Sequence, residues 1–388
     1  MNKDYFSNIP KFYLFRFVGS LDLTVAIFVL FMLSNNLTMT QVMLIESIFL
    51  IMVLSLEVPS GVFADLYGRK TALAISLLCA SASFIIFGLG STFWVFLLAQ
   101  AVLAFSWSLE SGADLAFVYD SLIKGKNFPK IYGQSNFITY IAFAISALLS
   151  GFLAALLGFR ALFFISAGLF FLGFLVSLRF TEPPIKKKSA KKHYLHMKGA
   201  LKFAFSSKVV RNLIIYFAVF SAFSSLAWFI FQPYLKDYST AIIGIAIFIY
   251  YVSGGIGSLI SGKLMAKVRQ EKLLIYLLLI GSASFLVLSF ITPLFGIFFI
   301  ATLSFSIGIR DISVSEEINI HTDSHHRATV VSIQSMTRGL IQAAFAPLIG
   351  YLVDIFSPAA AFLALGIGLF IFFVYHVVLD ILNRRATL

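Results

Sequence analysis

Seven ionisable side chains are the clearest to stand deep inside apolar stretches of this sequence. The acids Asp22, Glu46, Glu57, Glu110 and Asp114 lie in the first half, and Arg310 and Arg338 lie in the second. An ionised group in hydrocarbon is costly, so such residues face a cavity or a partner. A carboxylate in a low dielectric can take up and release a proton, and a guanidinium can hold an anionic group or pair with an acid. We therefore read Asp22, Glu46, Glu110 and Asp114 as proton- or cation-coupling groups. Arg310 and Arg338 are read as contacts for the anionic part of a small molecule. For Glu57, Arg16 and Asp311, which lie nearer one membrane face, internal salt bridges that fix packing are an equal reading.

Spacing groups several of these residues. Glu46 and Glu57 are three turns apart, on one helical face. Glu110 and Asp114 are one turn apart. Gln334, Arg338 and Gln342 form a polar stripe at i, i+4 and i+8, which lipid would penalise, so the stripe is expected to face inward and to contribute to substrate binding. Trp107, Tyr140, Phe217, Trp228 and Tyr250 are candidates for the lining of an apolar cavity, with ordinary packing as the alternative for each. Two stripes of small residues, Ala142-Ser146-Ser150-Ala154 and Gly254-Ser258-Gly262, allow close helix approach. Enzyme chemistry has little support. No nucleophile–base set is evident, and there is no phosphate-cradling GxxxxGK[ST]. His321, His325 and His326, near Asp323, read as solvated loop residues rather than a metal site. No cofactor is expected.

The elements that position these groups are membrane spans. The chain of 388 residues is 60% hydrophobic and 12% charged, with 45 phenylalanines and one cysteine, Cys79; its mean hydropathy is +0.96. Soluble domains are about 45–50% apolar and about 25% charged, so lipid must be the solvent for much of this surface. A single cysteine excludes an internal disulfide framework. The N-terminus lacks the pattern of a cleaved signal. Twelve apolar runs are long enough to span, near residues 12–33, 39–63, 71–90, 92–118, 131–156, 160–180, 209–235, 241–265, 272–290, 292–318, 328–352 and 358–382. They predict an all-α integral membrane protein in two six-helix bundles, 1–180 and 209–388, joined by a basic linker, 181–208.

The net charge of +12 reads as topology rather than nucleic-acid binding. With both termini inside, Lys3, Lys11, Arg69, Lys70, Lys124, Lys126, Lys130, the linker, Lys267, Arg269, Lys272, Arg327, Arg384 and Arg385 all fall in cytoplasmic segments, and only Arg160 and Lys236 fall outside. The halves are related: Gly61–Lys70 matches Gly262–Glu271 at an offset of 201, and Ile131–Asn136 matches Val331–Met336 at an offset of 200. Repeated halves are common in transporters.

The stretch GVFADLYGRK, residues 61–70, resembles the loop between spans 2 and 3 of the major facilitator superfamily, with Gly61, Asp65, Gly68, Arg69 and Lys70 matching and Leu66 departing. Glu57-Val58-Pro59-Ser60, Tyr119-Asp120-Ser121-Leu122 and Arg327-Ala328-Thr329-Val330-Val331-Ser332 resemble members that export drugs or metabolites. The resemblance implies alternating access around a central cavity. It makes Gly61, Asp65, Gly68, Arg69 and Asp120 parts of a cytoplasmic conformational latch, and it pairs the small faces of spans 5 and 8. The Gly-Pro motif of span 5 and the arginine of span 4 found in many proton antiporters are absent, and Ala266 replaces the second copy's Asp. The resulting expectation is a monomeric, proton-coupled exporter of an amphipathic small molecule such as a drug or siderophore. It would sit in a bacterial inner membrane, in contact with lipids and protons but not with nucleic acid. Uptake by symport and a lipid flippase are the alternatives, and a non-transporting sensor is a more distant one.

Overall fold

A computed structural model describes residues 5–122, 127–184, 207–323 and 327–385. Helices carry the described chain. They are α1 (Asn8–Gly19), α2 (Phe28–Ser34), α3 (Met39–Tyr67), α4 (Arg69–Leu89), α5 (Phe93–Glu110), α6 (Ala113–Asp120), α7 (Phe128–Leu157) and α8 (Phe159–Leu178), then α9 (Lys208–Tyr234), α10 (Thr240–Met265), α11 (Gln270–Leu288), α12 (Pro293–His321), α13 (Arg327–Ile355) and α14 (Pro358–Arg385). Eleven candidate spans are long and apolar enough to cross a bilayer, with α5 and α6 counted as one. The twelfth predicted span, the first in the chain, is interrupted. Most of the linker, together with Lys3, Lys124, Lys126, His325 and His326, lies outside the described residues.

Two compact units divide the chain. Unit 1 takes the described residues of 1–37, 45–193 and 239–248, and unit 2 those of 38–44, 194–238 and 249–388. Each unit is held by an aromatic core at duplicated positions. In unit 1 the Phe163 ring lies 4.5 Å from Phe31 and 5.8 Å from Phe84. In unit 2 the Phe362 ring lies 5.8 Å from Phe231 and 6.4 Å from Phe285. All but Phe84 are nearly inaccessible, and Phe84 is 3% exposed. The corresponding residues are separated by 200, 201 and 199 positions, which carries the weak sequence repeat into the packing. Tilted and stacked ring contacts of this kind add about 0.5–1.5 kcal/mol per pair beyond area burial.

The first span departs from the predicted continuous helix. Between α1 and α2, residues 20–27 leave the helix. Asp22 Oδ1 accepts the backbone N–H of Thr24 at 2.8 Å and its hydroxyl at 2.6 Å. This local turn offers the backbone an alternative to the helical ladder. The Ser166 hydroxyl from α8 accepts the N–H of Leu23 at 2.9 Å, meeting one of the donors freed by the break. The equivalent stretch of α9 runs through unbroken. The fourth span also breaks: Gly112 adopts φ +79° between α5 and α6, a conformation that favours glycine.

Spans 5 and 8 meet through small residues, as the resemblance implies, but not through the two stripes singled out in the sequence. In unit 1 it is Ala147 and Gly151 of α7 that meet the first turns of α10. A Cβ on Gly244 would lie 2.6 Å from Ala147 O and 2.9 Å from Gly151 Cα. The Gly254–Ser258 face packs instead on α12, where the Ser258 hydroxyl donates to Gly308 O at 3.2 Å. In unit 2, Asp354 accepts the N–H groups of Met39 and Thr40, both at 2.8 Å, and so caps the start of α3.

Candidate functional site

A charge cluster in unit 1 draws on four helices, α1, α5, α6 and α7, and on the break in span 4. Arg16, in the last turn of α1, places Nη1 at 2.6 Å from Glu110 Oε1 and 3.5 Å from Asp114 Oδ2. Its Nε donates to Thr139 Oγ1 of α7 at 3.2 Å. The Tyr132 hydroxyl, also from α7, reaches Asp114 Oδ2 at 3.4 Å. The side chains of Arg16 and Asp114 are 14% and 12% exposed and that of Glu110 is 28% exposed, so the cluster is largely removed from solvent.

The two acids do not share one helical turn, because Gly112 ends α5 after Glu110 and α6 starts again at Ala113. The break still brings both carboxylates to one guanidinium. Asp114 sits in the first turn of α6 and also accepts the N–H of Leu115 at 2.5 Å, a favourable place for a carboxylate. Two carboxylates and one guanidinium carry a formal charge of −1, so a single added proton makes the cluster neutral. Charge-assisted hydrogen bonds such as Arg16–Glu110 are roughly twice as strong as neutral ones.

The remaining predicted residues fall elsewhere. Asp22 occupies the helix break. Glu46 is buried on α3, where Gln100 Nε2 donates to its Oε2 at 3.3 Å. In unit 2, Gln334 and Gln342 are buried and Arg338 is half-buried, so the stripe on α13 turns inward while Val331, Leu340, Phe345 and Leu348 of the same helix are exposed. Arg310 is 3% exposed and binds Asp311 Oδ1 through Nε at 3.0 Å and Nη2 at 2.6 Å. Trp107 and Tyr140 are exposed and Trp228 is half-buried; Trp107 packs edge-on against Phe49 at 5.3 Å. An open cavity of about 390 Å³ is lined by Phe31, Ser34, Asn35, Leu157, Phe159 and Arg160, and none of the clustered charges borders it.

The loop between α3 and α4 is a single residue, Gly68, at φ +97°. Residues 61–67 are helical, and a Cβ on Gly61 would meet nothing within 4 Å. Arg69 Nη1 pairs with Asp120 Oδ2. Asp65 lines the same narrow recess, together with Ala64, Glu182, Pro183 and Pro184.

Sequence reasoning missed Glu182. Its carboxylate accepts the N–H groups of Arg69 at 2.8 Å and Lys70 at 3.0 Å, capping α4 from the segment that follows α8. Burial holds this carboxyl above the usual carboxylate range, against the pull of those donors and of the Arg69 and Lys70 charges. Asn8 joins the same layer, donating to Ser121 Oγ at 3.1 Å and Thr181 O at 2.8 Å.

The chain resembles several known proteins. It is 28% identical over 244 residues to the multidrug resistance protein MdtG of Enterobacter lignolyticus, covering 60% of this chain and 57% of that protein. It is 29% identical over 245 residues to MdtG of Citrobacter koseri, covering 60% and 58%. The match thus spans less than two thirds of these relatives' length. Among solved structures, a mutant of the nucleoside transporter NupG superposes with a TM-score of 0.80 at 14% identity, covering 95% of this chain and 99% of that one. A bacterial homolog of the human lysosomal transporter Spinster superposes at 0.71 and 17% identity, covering 98% and 96%. At such identities the likeness shows the fold. The Major Facilitator Superfamily model matches residues 12–346, and the chain belongs to the major facilitator superfamily of membrane transporters.

Proposed function

We propose that this chain is a proton-coupled secondary transporter of a bacterial inner membrane, with both termini cytoplasmic, that exports an amphipathic small molecule by alternating access. The observation that carries the proposal is the shared guanidinium: Arg16 holds Glu110 at 2.6 Å and Asp114 at 3.5 Å. Protonating one acid removes its claim on Arg16 and neutralises the cluster, which lowers the cost of moving it between environments of different dielectric. Asp22 and Glu46 are further proton or cation sites. In unit 2, Arg310, Arg338, Gln334 and Gln342 contact the substrate, and the aromatic residues Trp107, Tyr140 and Trp228 line its path. Gly61, Asp65, Gly68, Arg69 and Asp120 form the conformational latch, with Glu182 as an added member.

Export is favoured by the relatives called multidrug resistance proteins. Everted membrane vesicles with an imposed inside-acid gradient and no ATP test the reading. The expected result is accumulation of ethidium or naphthoate that stops when the gradient is collapsed. Accumulation under an outward-acid gradient alone would mark a symporter, and no gradient-dependent flux of any probe would refute proton coupling.

A further inference from the structure

Unit 2 contains a buried cation whose bonding is incomplete. Arg310 of α12 is 3% exposed, and its Nη1 atom is buried with no hydrogen-bond partner among the described residues. A buried donor left unsatisfied is costly, more so on a charged group, and is uncommon in native structures. The guanidinium sits over two aromatic faces of α9, with its carbon 5.1 Å from the centroid of Phe217 and 4.8 Å from that of Phe220. Two more unsatisfied donors lie on these same helices. Ser221 Oγ is one turn along from Phe217, and Ser313 Oγ is one turn along from Arg310. The α9–α12 face therefore offers a guanidinium edge, two hydroxyls and two phenyl faces.

The internal repeat explains why this arginine lacks a full set of partners. Arg310 stands 200 positions after Glu110, and Tyr216 stands 200 positions after Arg16. Where unit 1 pairs a base on its first span with an acid on its fourth, unit 2 has a base on the fourth and a tyrosine on the first. The Tyr216 hydroxyl is spent on Leu274 O at 2.8 Å. The position matching Asp114 is Val314, which is buried. The acid that binds Arg310 is its chain neighbour Asp311, which uses one oxygen on Nε and Nη2 and has a 42% exposed side chain.

We propose that Arg310 is the binding site for the anionic group of an aromatic or otherwise apolar acid, with Asp311 as a resident stand-in that the ligand displaces. The exposed Asp311 carboxylate returns to solvent, the ligand's carboxylate or sulfonate takes the guanidinium fork including Nη1, the Ser221 and Ser313 hydroxyls donate to it, and the ligand's apolar body packs on Phe217 and Phe220. Bidentate recognition by arginine suits such oxyanions. Nη1 is sealed here, so binding requires the α9–α12 face to part. This step rests on the transporter reading above, in which the units change conformation during the cycle.

The test is equilibrium binding to the purified full chain in a neutral detergent, without a pH gradient. Thermal unfolding is followed against naphthoate, neutral naphthamide and the cation naphthylmethylamine. Naphthoate is expected to raise the unfolding temperature while the amide and the amine do not. Arg310→Gln should weaken naphthoate by about thirtyfold. Asp311→Asn should tighten it by about tenfold, because the competitor is gone. If Arg310→Gln fails to fold, Ser313→Ala, which removes an unbonded hydroxyl, should leave the ligand-free protein at least as stable and still weaken naphthoate. Equal stabilisation by naphthoate and naphthamide, or weaker naphthoate binding in Asp311→Asn, overturns the proposal. Because no gradient is used, failure here leaves the proton-coupling reading standing. Loss of gradient-driven flux with naphthoate binding intact condemns only the coupling reading.

Discussion

Removing Arg16 should cost more than removing either of the acids it serves. In Arg16→Gln, Glu110 and Asp114 lose the cation that stands 2.6 Å and 3.5 Å away, and Thr139 loses its donor. Breaking a buried pair so that charge is left uncompensated costs about 3–5 kcal/mol. Glu110→Gln is milder: Arg16 keeps Asp114 and Thr139, and one charge-assisted bond is lost, at about 1.5–3 kcal/mol before the 28% exposure of Glu110 discounts it. The double variant leaves one carboxylate rather than two, so it should fall short of the sum by about 2 kcal/mol, within the range for residues in contact. Unfolding of the purified protein by denaturing detergent at neutral pH, read by helical signal for all four members of the cycle, measures these terms. Equal costs for the two single variants with strict additivity would show that Arg16 does not hold the acids together.

Three further outcomes follow from other parts of the molecule. Because burial raises the Glu182 carboxyl, the native protein holds this proton more readily than the unfolded chain, whose glutamate titrates near about 4.3. Stability therefore falls as pH rises from that value through the raised one; Glu182→Gln should flatten this slope and change stability at neutral pH by less than about 1 kcal/mol, as measured by thermal unfolding across pH. Thr24→Val removes the 2.6 Å hydroxyl bond to Asp22 and should cost about 2 kcal/mol, with faster hydrogen exchange at residues 20–27. Gly244→Ala forces a Cβ to within 2.6 Å of Ala147 O and should cost about 1–3 kcal/mol, whereas Gly168→Ala, where a Cβ meets nothing within 4 Å, should be neutral or stabilising in the same thermal assay.

The spans are readable because hydropathy alone sets which segments lipid tolerates; the last apolar run begins at 358, where its helix starts, whereas α4 starts at Arg69, two residues before the apolar run expected from 71. The breaks were not readable from hydropathy. Residues 20–27 are as apolar as their neighbours, and the one local sign was Asp22 two residues before Thr24, a turn-forming pair whose effect depends on Ser166 of α8 accepting the N–H of Leu23. Glu110 and Asp114 were found by type and spacing, but for an incomplete reason: a continuous helix was assumed, and Gly112 shows instead how a left-handed residue re-aims the second acid. Position near one membrane face leaves Arg16 equally readable as a coupling group or as half of an internal salt bridge; its acid, Glu110, stands 94 positions away, a distance over which sequence carries no pairing signal. Glu182 was hidden at the edge of a basic linker, where its role is set by the N-terminus of a helix that begins 113 residues earlier.

The most direct test of the account compares wild type with Glu110→Gln in proteoliposomes, using whichever of ethidium and naphthoate the wild type accumulates. Two fluxes are measured: accumulation driven by an inside-acid gradient, and exchange of probe for probe at equal pH. If Glu110 and Asp114 couple protons through Arg16, Glu110→Gln retains exchange and loses the gradient-driven accumulation. A variant that accumulates the probe as steeply as wild type would contradict the claim.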